Sequence, residues 1–285
     1  MSMKPEQIIS IELKKLVPFM NHPFQVRDDE QMKTLTDSVR SVGVLVPAIV
    51  RPLDNGMYEL ISGHRRMRAS ELAGFISLPA VIRNVDRDAG TVMMVDSNMQ
   101  REVILPSERA KAYKMKLDAI KRQGARLDLT SDQVGQKSER KTSRDLIAEN
   151  SPDSSTQIQR YLRLNELIPE LLLMVDQGRI ALTPAAELSF LTKEEQALLF
   201  LTIESEQSTP SLSQAQRMKA ISRKGELTDD VILAIMMEKK KPECWNLTIP
   251  MNRISGYFPK TYTPQQMEKT IIRLLEAWCK RIAQM

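Results

Sequence analysis

One glycine, Gly63, separates a predicted strand from a predicted helix that carries three arginines, Arg65, Arg66 and Arg68. The residues before Gly63 alternate in polarity as in a strand, and those after it have helix-forming composition until Gly74. Free N–H groups at the start of a helix attract anions, and guanidinium groups match phosphate oxygens with paired donors. The pattern predicts a phosphate-binding site, and a solvated basic helix face is the plainer interpretation.

A second polar segment, DSNMQRE at residues 96–102, ends the next predicted helix. ISGHRRMRA resembles the Gly-Glu-Arg-Arg box of the ParB family of partition proteins, and SNMQR resembles that family's Glu-Asn-x-Gln-Arg box. The resemblance extends over about residues 8–200. An earlier motif of the same family is matched at Gln25, Arg27, Gly43, Val44 and Pro47.

The resemblance to ParB implies a sulfiredoxin-like N-terminal domain that binds cytidine triphosphate (CTP) with Mg²⁺. It also implies that the two arginine-bearing boxes contact the triphosphate, and that Asn98 could meet a nucleotide-bound magnesium ion. The nucleotide-binding residues expected from these boxes are Gly63, His64, Arg65, Arg66, Arg68, Asn98, Gln100 and Arg101.

Two residues depart from the family's boxes, since His64 and Ser97 stand where glutamates are usual. Carboxylates commonly position water and metal ions during nucleotide hydrolysis. Three alternatives therefore remain for CTP: slow hydrolysis, hydrolysis that uses Asp96 instead, or no hydrolysis. The catalytic residues are unknown. Asp96 would point about 100° away from Ser97 on a helix, which favours a solvated role for Asp96.

Residues 142–149 and a second helix ending near residue 164 resemble a helix-turn-helix, with Ser151 and Pro152 expected to cap the second helix. Ile158 on that helix would face the core, whereas its glutamine and arginine side chains could read adenine and guanine edges. The plainer interpretation is an ordinary pair of surface helices. The expected DNA contacts are Lys141, Arg144, Ser154, Ser155, Thr156, Gln157, Gln159, Arg160 and Arg163.

The predicted fold class is an α+β N-terminal domain with a mixed sheet, followed by an all-α helix-turn-helix domain and a small C-terminal α/β module. Gly124 is expected to end the first helix of the all-α domain. The expected divisions are residues 1–103 for nucleotide binding, 104–203 for DNA binding, 204–227 as a linker or solvated helix, and 228–285 as the C-terminal module.

The C-terminal module ends in a long amphipathic helix at residues 264–285. The apolar side chains of this helix need another surface to pack against. A second copy of the chain could supply it, as the family resemblance implies, or Trp245 and Phe258 of the same chain could.

The net charge of +5 is concentrated in one segment, because residues 101–165 hold fourteen Lys and Arg against nine Asp and Glu. This distribution favours a nucleic-acid partner. No apolar run is long enough for a membrane span, and two cysteines do not make a disulfide framework. We expect a cytoplasmic, DNA-associated protein that has double-stranded DNA as its partner and does not contact the membrane. The family resemblance further implies a homodimer and a ParA-like ATPase as a second partner.

Three other functions were weighed against this interpretation. A sulfiredoxin-type reductase needs a cysteine before its His-Arg pair, where this chain has Gly63. A ParB-fold nuclease needs clustered carboxylates for metal ions, which the sequence does not offer. A transcriptional repressor that uses the same helix-turn-helix stays open.

Overall fold

The computed structural model describes residues 7–101, 103–130, 143–149, 151–238, 251–259 and 261–282. The chain forms two compact units, residues 1–238 and residues 239–285. The first unit holds a mixed sheet with helices and then a helical array. This confirms the predicted order of an α+β region followed by a mostly helical remainder.

Five strands form one mixed sheet in the order β1-β5-β3-β4-β2. β3 runs parallel to β5 and antiparallel to β4, and β2 pairs with β4 in parallel. Three residues from the middle strands of this sheet are fully buried, namely Val50, Leu60 and Ala80. The strands are β1 Ile8–Glu12, β2 Leu16–Pro18, β3 Ala48–Pro52, β4 Tyr58–Ser62 and β5 Ser77–Ile82.

Three helices accompany the sheet: α1 Glu30–Val42, α2 His64–Ala73 and α3 Arg87–Asn98. The side chains of Asp29 and Asp86 cap α1 and α3 by accepting backbone N–H bonds. The end of α2 before Gly74 and the end of α3 at Asn98 agree with the sequence-based helices, because glycine stops and polar helix ends are local signals.

The helical array continues the first unit, and its first helix is longer than the sequence predicts. Gly124 lies inside α4, where its backbone does not adopt the left-handed conformation of a helix-ending glycine. The helices are α4 Pro106–Thr130, α5 Ser143–Glu149, α6 Ser155–Leu164, α7 Pro169–Asp176, α8 Leu182–Leu188, α9 Lys193–Glu206, α10 Leu212–Ser222 and α11 Asp229–Met237.

Residues 204–227, expected as a linker or solvated helix, instead contain α10 packed into the helical array. Ala215 and Met218 are fully buried, and the buried Gln214 side chain donates to the carbonyl of Ile235 at 2.6 Å. Ser211 and Gln214 also form a capping box at the start of α10. The polar composition of this segment therefore reflects caps and one exposed face rather than a tether.

The second unit contains α12 Met251–Ile254 and α13 Pro264–Ile282. Met267 on α13 is buried, whereas Leu274, Leu275 and Trp278 are more than half exposed. Trp245, one of the two side chains of the same chain that could cover this helix, lies outside the described residues. Among the helices that the structure describes, none combines the length and the apolar character needed to cross a bilayer.

Candidate functional site

Gly63 joins β4 to α2 in a conformation that few other residues could adopt. Its φ is +110°, and a Cβ at this position would lie 3.0 Å from the Cβ of Ala48. Both the backbone angle and the close approach to β3 therefore require glycine. The turn places the start of α2 directly against the sheet.

A cavity of about 650 Å³ opens beside the start of α2. Two of the predicted nucleotide-binding residues, Arg65 and Arg101, line it together. The wall brings together the loop before α1, the start of α1, the start of α2, and the segment that joins α3 to α4. The lining residues are Gln25, Arg27, Asp29, Glu30, Gln31, Arg65, Arg101, Val103, Leu105 and Glu108.

The two cavity arginines are held loosely enough to accept an anion. Arg65 lies 3.6 Å from an Asp29 oxygen and 3.3 Å from the Gln31 amide oxygen. Arg101 stacks over the Phe24 ring at 5.3 Å. Burial lowers the pKa of Arg101 below its usual range, Glu108 opposes this effect, and Arg65 adds to it. A bound anion would relieve the repulsion between the two guanidinium groups.

Glu108 contributes to the shape of the cavity as well as to its charge, because its carboxylate bonds two backbone N–H groups of the wall. One oxygen of this buried carboxylate accepts from the Gln25 N–H at 2.9 Å, and the other accepts from the Leu105 N–H at 3.3 Å. The first turn of α4 is thereby tied to the loop before α1.

The remaining arginines of α2 are occupied by protein groups. Arg66 donates to the carbonyls of Val46 and Pro47 at 2.5 Å and 2.7 Å. Arg68 pairs with Asp28 at 2.7 Å and with Glu71 at 3.2 Å. Neither arginine lines the cavity.

The second box shows a similar division among its residues. Asn98 is buried and donates to the carbonyl of Met94 at 2.8 Å, and Gln100 is exposed. Of this box, only Arg101 reaches the cavity wall.

His64 is the first residue of α2 and is 8% exposed. Its Nε2 accepts from the Phe19 N–H at 3.4 Å, and its ring centroid lies 3.8 Å from that of His22. Burial lowers the pKa of His64 to about 3, with His22 and Arg101 contributing, and burial lowers the pKa of His22 to about 4. An uncharged ring therefore replaces the carboxylate that the family resemblance leads one to expect here.

The residues near Ser97 offer no ready substitute for the missing carboxylate. The Asp96 carboxylate is paired with the Lys116 ammonium of α4, and the Ser97 hydroxyl donates to the Met94 carbonyl at 3.0 Å. Within the described part of the chain, no group of three or more His, Cys, Asp and Glu side chains could hold a metal ion.

The predicted pair of short helices is present as α5 and α6, with one correction at the cap. Ser154, not Ser151 or Pro152, caps α6 and forms a reciprocal capping box with Gln157. Ile158 is fully buried, which confirms the predicted inner face.

The predicted DNA contacts divide into exposed groups and groups already bonded to protein. Thr156 and Gln159 are exposed, and Arg160 is half-buried. Ser155 donates to Asp145 at 3.0 Å. Lys141 and the side chain of Arg144 lie outside the described residues.

Arg163, expected to contact phosphate, is bonded to α8 and the turn after it. Its guanidinium donates to the Ser189 carbonyl at 2.6 Å and lies 3.9 Å from the Phe190 ring centre. It therefore ties the end of α6 to the helical array.

A buried polar network holds the turn before α6. Asp153 is 7% exposed and accepts from the Tyr113 hydroxyl at 2.6 Å and from Arg109 at 3.2 Å. Ser151 also bonds the Tyr113 hydroxyl, at 2.5 Å. This network sets the position of α6 on α4.

The family model described as the ParB N-terminal domain matches residues 1–99, which include β1 to β5 and α1 to α3. The N-terminal part of this chain belongs to the ParB family. The mixed sheet, the first box and the start of the second box therefore lie in the part of the chain that matches this domain.

Curated relatives of this chain include chromosome-partitioning proteins and nucleoid occlusion proteins. The chain is 31% identical over 189 residues to the chromosome-partitioning protein Spo0J of Thermus thermophilus, covering 66% of this chain and 62% of that protein. It is 36% identical over 109 residues to a nucleoid occlusion protein of Geobacillus thermodenitrificans, covering 38% of each. The chain thus spans less than two thirds of the length of these relatives.

One solved structure with similarity to the chain is C-terminally truncated ParB from Caulobacter crescentus, complexed to the centromeric parS site. It has a TM-score of 0.46 and 22% sequence identity, and the match covers 76% of this chain and 99% of that one.

Several residues of the cavity beside α2 carry no signal in the two boxes. Gln25 and Arg27 belong to the earlier motif, so the sequence could have suggested them, whereas Gln31 and Glu108 reach the cavity only through packing of α1 and α4. His22 also joins the site only through the fold, because its ring meets that of His64 across 42 positions of sequence.

Proposed function

We propose that this chain binds a nucleoside triphosphate in the cavity beside α2. The observation that carries the proposal is that Arg65 and Arg101, from different elements, line one cavity at the start of a helix. Paired guanidinium donors and free helix N–H groups are the groups that polyphosphates select. A volume of about 650 Å³ is ample for such a ligand.

CTP with Mg²⁺ is the proposed ligand, on the strength of the ParB resemblance. Arg65 and Arg101 would bind phosphate oxygens directly, and Gly63 would allow the backbone to approach them. The other predicted residues would support the site without touching the ligand, since none of them lines the cavity. Three of these are bonded to protein groups, namely Arg66, Arg68 and Asn98, and the fourth is Gln100. Magnesium would arrive with the phosphates; Asn98, its expected neighbour by resemblance, is buried and bonded to the Met94 carbonyl, so it does not meet the cavity in this structure.

The second part of the proposal is that α6 reads a DNA site. Thr156, Gln159 and Arg160 are the groups on α6 best placed to meet base edges. Ser154, Ser155 and Gln157 would hold the start of α6 in position, and Arg163 would fix its end.

The proposed role is DNA partition by a homodimer, with a ParA-like ATPase as a further partner. The Thermus relative is named for chromosome partitioning, which supports this role over nucleoid occlusion because its match covers more of the chain. The exposed apolar side chains of α13 would be covered by a second copy. The protein would then be located on the DNA that it partitions.

A transcriptional repressor with the same DNA-binding helix pair is the second candidate. The replacement of both box glutamates, by His64 and Ser97, favours it, because these changes remove the carboxylates expected in a nucleotide-hydrolysing switch.

The test is nucleotide binding by the purified full chain, using each of the four ribonucleoside triphosphates with Mg²⁺. Binding is measured with and without a DNA duplex selected from a random pool by the protein itself. Selective CTP binding that Arg65→Ala abolishes, and that the exposed control Arg40→Ala retains, would support the proposal. Absence of binding by all four nucleotides, with DNA binding retained, would favour the repressor.

A further inference from the structure

The chain contains two histidines, and the fold stacks them against each other next to Arg101, a residue of the cavity wall. His64 directly precedes Arg65 at the start of α2. The Phe24 ring contacts the His22 ring edge-on at 5.6 Å and lies under the Arg101 guanidinium at 5.3 Å. The pair therefore lies close to Arg101 of the proposed nucleotide site, and His64 is the residue before Arg65 in the chain.

Hydrogen bonds fix which nitrogen of each ring is basic. His22 Nδ1 donates to the Phe24 carbonyl at 2.7 Å, so Nε2 is its unprotonated atom. That Nε2 is buried and has no hydrogen-bond partner in the structure. His64 Nε2, in contrast, already accepts the Phe19 N–H. A proton arriving at the pair can bind His22 without breaking an existing bond.

Charged groups from several elements surround the pair. Arg101 opposes a charge on either ring, as does the positive end of α2 under His64. Glu59 of β4, which accepts the Met20 N–H, is neutralised by Arg51 of β3 at 2.6 Å. Glu108 of α4 faces Arg101 and is occupied by two backbone donors.

We propose that the His22–His64 pair is a proton-accepting part of the anion site, with His22 Nε2 taking up one proton when a nucleoside triphosphate binds at Arg65 and Arg101. The inference rests on the proposed nucleotide function. Without ligand, the nearby positive groups and burial keep both rings neutral. The polyphosphate reverses the sign of the local field, which favours a positive charge on the buried His22 ring.

The sign of the pH dependence follows from linkage. Ligand binding raises the pKa of His22 above its low value in the free protein, so binding is accompanied by proton uptake and strengthens as pH falls. We expect affinity for CTP to rise by up to about tenfold between pH 7 and pH 5, with the gain lost as pH rises through the pKa of the complex.

The decisive experiment is an NMR titration of the full chain labelled with ¹⁵N-histidine, with and without saturating CTP and Mg²⁺. Two histidines make assignment simple, and the signals report imidazole protonation directly, independent of the titration of the ligand. At about pH 5 both rings should be mostly neutral in the free protein, and His22 should be mostly protonated in the complex. Two neutral rings in a saturated complex would overturn the inference while leaving the nucleotide function standing.

Two variants separate proton uptake from packing. His22→Asn can keep the donor to the Phe24 carbonyl but cannot be protonated, so its CTP affinity at about pH 5 should fall about tenfold below that of wild type. His64→Gln can keep an acceptor for the Phe19 N–H and should retain the rise in affinity at low pH. Loss of that rise in His64→Gln but not in His22→Asn would overturn the assignment to His22. Thermal melting checks that the variants fold, and the wild-type titration decides the question if either does not. Failure of wild type to bind CTP would overturn the nucleotide function and the proton uptake together.

Discussion

The cavity beside α2 and the outer face of α6 are both predicted to bind polyanions, but they are assembled differently. The cavity takes its wall from separate stretches between residues 25 and 108, so each side chain depends on distant packing. α6 presents its polar side chains from one short helix, whose position rests on Asp153 before it and Arg163 at its end. Substitutions at the cavity should therefore affect one ligand, whereas substitutions beneath α6 should affect stability and DNA binding together.

The largest effect is expected for Arg101→Ala. Arg101 is a half-buried cavity residue, and loss of two charge-assisted hydrogen bonds at roughly 1.5–3 kcal/mol each would weaken CTP binding about 100-fold or more. Isothermal titration with CTP and Mg²⁺ measures this loss, and DNA affinity should be unchanged. Unaltered CTP affinity would remove Arg101 from the site.

Arg160→Ala tests the other surface. Loss of one good contact to a base should weaken binding to the selected duplex by about 10- to 100-fold, with CTP affinity retained. Fluorescence anisotropy with the selected duplex and a scrambled one measures the effect, and Arg179→Ala serves as an exposed control paired with Glu204. Equal loss of nucleotide and DNA binding in Arg160→Ala would argue against two separate surfaces.

Tyr113→Phe addresses the support of α6. It removes the hydroxyl that bonds Asp153 and Ser151, and should lower the free energy of unfolding by about 1–2 kcal/mol. Urea unfolding measures the change. Tyr161→Phe, which removes a longer 3.3 Å bond from Arg109, should cost less. An equal decrease in the free energy of unfolding for both variants would contradict the conclusion that the Asp153 network holds α6 in place.

Arg68→Ala should have the smallest effect. Arg68 belongs to the predicted phosphate-binding box but pairs with Asp28 and Glu71 at the surface. Exposed ion pairs contribute little, so CTP affinity should change less than about twofold. A loss comparable to that of Arg101→Ala would show that Arg68 leaves these partners to bind the ligand.

Much of the fold could be predicted because its signals are local. The alternation before Gly63 and the helix-forming residues from there to Gly74 act within a few residues, and the structure has the expected strand β4 and helix α2 there. The prediction was wrong at Gly124 and at residues 204–227, where burial of α10 overrides a polar composition.

By itself, the sequence determined that an arginine-loaded helix follows a glycine-only turn, and that a polar helix pair lies in the basic part of the chain. It did not determine which arginines are available to a ligand, because Arg65, Arg66 and Arg68 share one helix and one side-chain chemistry. Only the tertiary structure decided this, since Arg66 meets carbonyls about twenty residues away and Arg68 meets a carboxylate forty residues away. The pairing of His22 with His64 is decided in the same way, because side chains distant in sequence become neighbours only when the sheet and α2 pack together.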